Sequence, residues 1–176
     1  MKERGIIFTG ESVRAILAGR KIQTRRVIKD DWWRCLDPDD EEDRAKAVAQ
    51  CQYGALGDRL WVKEVWAVPG TARRSDDPVH AGMNVVYRAK AYSWRSPIHM
   101  PRWASRITLE VTEVRVQRLQ DISEEDAQAE GFPIPGQLMT RLSVGYFRHA
   151  WDAINGKRAP WASNPWVFAV TFRRLP

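Results

Sequence analysis

The stretch LAGRKIQTRR, residues 17–26, sets Arg20, Lys21, Arg25 and Arg26 around a single hydroxyl, Thr24, just after a glycine suited to ending a helix. Four cations and one hydroxyl in seven residues describe either a solvated turn or an anion-facing wall with a nucleophile in it. A threonine hydroxyl attacks only when a base takes its proton, so the second reading needs proton carriers nearby. Two carboxylates stand out by their positions. Glu130 falls in the last turn of a short predicted helix, where a negative charge opposes the helix dipole, so another interaction is expected to hold it. Glu64 shares a strand face with Leu60, Val62 and Trp66, and becomes a site candidate if that face is the buried one.

Aromatic residues supply a second chemistry. The chain carries nine tryptophans, too many for all of them to be hidden in 176 residues. Trp61, Trp66, Trp151 and Trp166 sit in apolar patterns and are expected in the core. Trp94 and Trp103 lie in a proline-broken stretch with Arg95, Arg102 and Arg106, where they suit stacking on bases or sugars. Trp32 and Trp33 belong to an acidic run that would repel phosphate.

These residues need elements to position them. GIIF, 5–8, reads as a short strand, followed by a helix capped by Thr9 or Gly10 with Glu11 in its first turn. Val13, Ile16 and Leu17 form its apolar stripe and Gly19 its stop, which leaves 21–26 in the turn beyond. DRAKAVAQC suits a short helix capped by the acids before it. RLWVKEVWAV alternates as a half-buried strand, MNVVYRA (83–89) is another, and ITLEVTEVRVQRL (107–119) is the plainest strand of all. Its apolar phase slips by one between Val111 and Val114, which a bulge would explain. Ser123 with Asp126 makes a capping box, and Gly131 ends that helix. Residues 141–156 form an amphipathic helix with the stripe Val144, Phe147, Trp151 and Ile154, and PWVFAVTFRRL is the last strand. Strands interleaved with short helices imply an α+β protein around a small curved sheet or barrel.

Composition narrows the partner. The net charge of +6 includes an acidic run at 30–43 with eight carboxylates and one arginine, so the rest of the chain is more basic still. Of 28 cations 21 are arginine, whose planar fork favours phosphate oxygens and base edges. A basic, arginine-biased, tryptophan-rich chain points to nucleic acid or a nucleotide-like ligand. Cys35 and Cys51 make no disulfide framework, and with His80 or His99 they fit no structural zinc spacing, so no metal is expected. With no signal peptide and no long apolar run, the chain reads as cytoplasmic, soluble and free of membrane contact. The oligomeric state is left open.

As a set, LAGRKIQTRR after a first helix, GDRLWV at the start of a strand, ITLEVTEV followed by DISEEDAQAEGF, and a final WVFAVTF strand resemble the ASCH domain, the activating-signal-cointegrator homology family. The resemblance spans nearly all of 1–176 as one domain, with insertions at 30–52 and 69–82, and is nearest to ASCH proteins encoded by bacteriophages and prophages. It implies a PUA-like β-barrel with flanking helices, binding RNA or a modified nucleoside in a cleft beside the barrel. It also implies similarity to bacterial amidohydrolases that remove the acetyl group of acetylcytidine without a metal or other cofactor. On that resemblance Lys21, Thr24 and Glu130 map to the catalytic set. Arg20, Arg25, Arg26, Glu64, Trp94, Arg102, Trp103 and Arg106 are the expected substrate contacts, Arg26 also matching by motif. Gln23 and Arg25 stand where the family has apolar residues. Other members are ribonucleases or non-catalytic RNA-binding modules, and both stay as alternatives.

The implied chemistry is coherent. Lysine serves as a base only when neutral, and burial or the nearby Arg20, Arg25 and Arg26 would lower its pKa. Glu130 could shuttle a proton, while Arg26 or turn amides could stabilise an oxyanion.

Overall fold

Strand β1 (Glu3–Ile7) leads into helix α1 (Gly10–Leu17), capped by the Thr9 hydroxyl, which accepts from the Ser12 amide at 3.3 Å. The computed structural model describes residues 1–28, 37, 40–67, 94–132 and 143–176. α1 buries Val13, Ala15 and Ile16, while Leu17, expected in the stripe, is exposed. Gly19 closes the helix at φ 71°, the left-handed position expected of it. The expected turn at 21–26 is replaced by an isolated bridge at Lys21 and strand β2 (Gln23–Val27).

Helix α2 (Glu41–Ala49) is capped by Asp40, as its leading acids suggested, and sets Ala47 into the core. Strand β3 (Arg59–Lys63) keeps the expected alternation, with Leu60 and Val62 buried. It stops earlier than expected, yet Glu64 and Trp66 beyond it continue the buried phase. Strand β4 (Thr108–Arg118), helix α3 (Glu124–Ala129), helix α4 (Ser143–Asn155) and strand β5 (Trp166–Arg174) complete the order. The slip expected in β4 is present as a register shift between Val111 and Glu113. In α4, Phe147 and Trp151 are buried and Val144 packs beside them, but Ile154 is 66% exposed and leaves the expected stripe. The expected strand 83–89, the loop 69–82, and Trp32, Trp33, Cys35 and His80 lie outside the described residues.

The five strands form one mixed sheet in the order β1-β3-β4-β5-β2, with β1 parallel to β3 and the other pairs antiparallel, so the fold is α+β. β1 and β2 are its two ends, yet the Arg26 guanidinium on β2 donates to the Ile7 carbonyl on β1 at 2.8 Å. A side chain spans that gap only if the sheet curls until its ends approach, which is barrel-like curvature. The bulge in β4 supplies part of the bend.

The sheet is covered on both faces. Ile6, Phe8, Leu60, Leu109, Phe168 and Val170 belong to one cluster, and Leu119, Ala127, Phe147, Trp151 and Val167 to another under α3 and α4. β5 contributes to both, which explains its run of buried residues from Val167 to Val170. Of the four tryptophans expected inside, Trp66 and Trp151 are buried and Trp61 and Trp166 half-buried.

Candidate functional site

β2 takes its side-chain directions from β5. Thr24 pairs with Val170 and Arg26 with Phe168, so both look toward the first cluster; Arg25 pairs with Ala169 and looks toward α3 and α4. Contacts agree with this register: Arg26 lies over the Phe8 ring at 5.2 Å and Arg25 over the Phe147 ring at 5.8 Å. Lys21 precedes the strand, and its Nζ also lies over Phe8, at 5.8 Å. The Lys21 amine and the Arg26 guanidinium therefore lie over one aromatic ring.

Glu130 meets them from the end of α3. Lys21 Nζ donates to its carboxylate Oε2 at 2.6 Å and to its main-chain oxygen at 2.8 Å. This is the interaction its position against the helix dipole called for. Lys21, Thr24 and Glu130 are all buried, at 5%, 4% and 7% exposure. Burial pushes the Lys21 amine well down, Glu130 opposes that, and Arg26 and Arg25 add to it.

Gly131 lets Lys21 approach. It sits at φ 92°, and a Cβ there would lie 2.7 Å from Lys21 Cβ and 2.9 Å from Ala15 Cβ. Gly131→Ala should cost at least about 2 kcal/mol from left-handed strain and the clash together. Urea unfolding checks this, and a loss of under about 0.5 kcal/mol would contradict the packing described.

Arg25, one of the expected substrate contacts, has a fully buried side chain, because α3 and α4 cover that side of β2. Its Nη1 donates to Gln23 Oε1 at 2.6 Å and to Glu130 Oε1 at 3.3 Å, and its Nη2 to Asp126 Oδ2 at 2.6 Å. Arg115 reaches Asp126 Oδ1 at 3.0 Å, and Gln23 Nε2 reaches the same oxygen at 3.2 Å. Lys21, Glu130, Arg25, Asp126 and Arg115 thus form a chain of alternating sign. Asp126 and Gln23 were not foreseen as site residues. The spacing of Asp126 and Glu130 held the signal, because four residues apart puts both carboxylates on one helical face.

Burial pushes the Asp126 carboxyl up, but the Arg115 hydrogen bond and the Arg25 charge outweigh it and hold it below its ordinary value. A carboxyl depressed by folding stabilises fully above its unfolded pKa, and that contribution is lost as pH falls through the folded one. Asp126→Asn should therefore flatten the loss of stability as pH falls below the ordinary aspartate range, read from urea midpoints at successively lower pH.

The remaining expected contacts are spread out. Arg20 is exposed and donates to the Gly131 carbonyl at 3.0 Å. Arg26 is half-buried. Glu64 is buried, as a site candidate should be, but its carboxylate meets Arg106 in a two-pronged bond at 2.9 and 3.0 Å. Arg102 pairs with Glu3 at 2.7 Å. Trp94 and Trp103 are 40% and 39% exposed, and Trp103 meets Trp66 edge-on. The structure thus brings Lys21, Arg25 and Glu130 into contact and gathers Glu64, Arg106, Trp66 and Trp103 near the far end of β3.

Two hollows adjoin the first group. A groove of about 970 Å³ between α1, α3 and α4 has Arg20, Ile22, Glu130 and Phe132 in its wall. A smaller one of about 320 Å³ lies between β1 and β2, with Arg26 and Tyr53 among its lining. Lys21 and Thr24 line neither. Among the described residues, no group of three or more His, Cys, Asp or Glu is placed to hold a metal ion, and no helix is long and apolar enough to cross a membrane.

No family model matches the chain, and no curated protein does. Solved structures are similar to it. One is an ASCH domain from Lactobacillus crispatus JV V101, at TM-score 0.48 and 11% identity over 98% of this chain and 79% of that one. Another is a DUF984-family protein from Enterococcus faecalis V583, at TM-score 0.47 and 12% identity over 99% and 77%. An ASCH domain, the family whose motifs the sequence resembles, is thus among the solved folds this chain is similar to.

Proposed function

We propose that this protein binds a modified nucleoside, free or within RNA, and hydrolyses an acyl group from the exocyclic amine of a cytidine-like base. The observation that carries the reading is the buried Lys21–Glu130 contact at 2.6 Å, beside the Phe8 ring over which Arg26 also lies. Moving one proton from Lys21 to Glu130 yields a neutral amine and a neutral acid together, the two carriers that amide hydrolysis needs. Burial of Lys21 favours that exchange.

The steps then balance. Lys21 Nζ takes the Thr24 hydroxyl proton as Oγ1 bonds to the acyl carbon. The bond from that carbon to the exocyclic nitrogen breaks as Glu130 returns its proton to the nitrogen. Cytidine leaves, and the acyl group remains as an ester on Thr24. Lys21, now ammonium, passes a proton to Glu130 again, and water then repeats the cycle: Lys21 takes a proton from water, hydroxide adds to the ester carbon, and Glu130 protonates the departing Thr24 oxygen. Arg26 is the side chain suited to the developing oxyanion.

A non-catalytic binding module is the second reading. It is favoured by the Lys21 amine being held at both the carboxylate and the main-chain oxygen of Glu130, as in a purely structural pair. Incubating the purified protein with acetylcytidine and following cytidine by chromatography separates the two. Cytidine release is the expected result. No release, with salt-sensitive RNA binding, would favour the module.

A further inference from the structure

We propose that Arg25 is a positioning residue: with Asp126 as its counter-charge, it aims the Glu130 carboxylate and sets how readily the Lys21–Glu130 pair exchanges its proton, an inference that rests on the reading of that pair as the proton carriers. The geometry is specific. Arg25 holds Glu130 Oε1 at 3.3 Å while Lys21 holds Oε2 at 2.6 Å, so the carboxylate is gripped at both oxygens and cannot turn without breaking one bond. The other branch of the guanidinium is anchored on Asp126 at 2.6 Å, and its ring contact with Phe147 fixes the plane.

The arrangement is costly. Arg25 Nε is buried with no partner among the described residues, and a guanidinium at zero exposure is retained at the expense of its hydration. An apolar side chain would fill the space beside Phe147 without that cost. What only a cation supplies is charge beside Glu130. Glu130, Arg25 and Arg26 all act directly on the Lys21 charge. Asp126 and Arg115 act through Arg25, and Arg20 stands at the Gly131 carbonyl next door.

The network gives two opposite expectations. Arg25→Gln removes a cation and leaves Glu130 wholly to Lys21, so ammonium is favoured and the Lys21 titration moves to higher pH. Asp126→Asn leaves Arg25 and Arg115 unneutralised and draws Glu130 toward Arg25, so the titration moves to lower pH. Each movement should be about one pH unit or more, the usual scale for a close charge. A merely structural role would weaken both variants without opposing shifts.

The experiment is an NMR titration of lysine amines in the whole protein, with the Lys21 signal assigned by its loss in Lys21→Arg. Alongside it, kcat for acetylcytidine is measured against pH. Opposite movements of the Lys21 signal support the proposal, and the acid limb of kcat should follow them with KM changed less than about twofold. Movement in one direction, or none, would overturn it. If Arg25→Gln does not fold, Arg115→Gln, at a partly exposed position, decides: it removes a cation from the same chain and should move the signal upward by a smaller step. A wild type that releases no cytidine defeats the amidohydrolase reading alone, because the amine titration still reports the control of Lys21 by Arg25.

Discussion

Glu130→Ala is expected to destabilise the fold by about 3–5 kcal/mol, the usual cost of removing one partner from a buried ion pair. Both cations it leaves behind are buried, Lys21 at 5% and Arg25 at 0% side-chain exposure. Arg25 retains Asp126, so most of the loss falls on Lys21, whose amine keeps only main-chain oxygen. Lys21→Met should cost less, because Glu130 then still has Arg25, and the methionine chain replaces much of the lysine stem. The double variant Lys21→Met with Glu130→Leu should recover much of the single-variant loss, since apolar replacement of a whole buried pair is often neutral or better. Urea unfolding of the four proteins measures this directly. A Glu130→Ala loss below about 1 kcal/mol would mean the pair is better hydrated than its burial indicates.

Thr24→Ala is expected to lower acetylcytidine turnover by at least about 10³-fold while leaving the fold nearly intact. Its side chain is buried on β2, and the backbone pairing with β5 does not depend on the hydroxyl. The stability loss should therefore stay near 1 kcal/mol, the ordinary size for a single substitution. Thr24→Ser retains a hydroxyl and should keep measurable turnover. The contrast among wild type, serine and alanine is the informative result. Comparable turnover in Thr24→Ala would remove Thr24 as the nucleophile and leave Lys21 and Glu130 to activate water directly.

Much of this site could be read from local sequence, and the exceptions on β2 share one physical cause. The Thr9 cap, the stop at Gly19, the bulge after Val111 and the Ser123 cap each depend on neighbouring residues, and each is present. Glu130 was recognisable as a carboxylate in need of a partner, because the helix dipole acts within one turn. β2 was missed as a strand because QTRR carries no apolar alternation. Gln23 and Arg25 are satisfied by Asp126 and Glu130, more than a hundred positions away, and no local pattern encodes that distance. The same blind spot hid the bonds of Arg25 to Asp126 and Glu130. Leu17 and Ile154 fail differently: each continues a helical stripe onto the exposed surface of the described residues.

The strand order has a consequence for how the chain folds. β2 borders β5 in the sheet, and its first residue, Gln23, bonds Thr171 at a separation of 148 positions. Its side chains wait on α3 in the same way, since Arg25 and Asp126 are 101 positions apart. Pairings this distant carry a large loop-closure cost, which places them late and slows the rate-limiting step. Local pieces such as α1 and the capped α3 can form early, but neither can seat Lys21. The chemistry-bearing strand is a latecomer, and a newly made chain gains its charged network only once nearly all of the polypeptide has assembled around it.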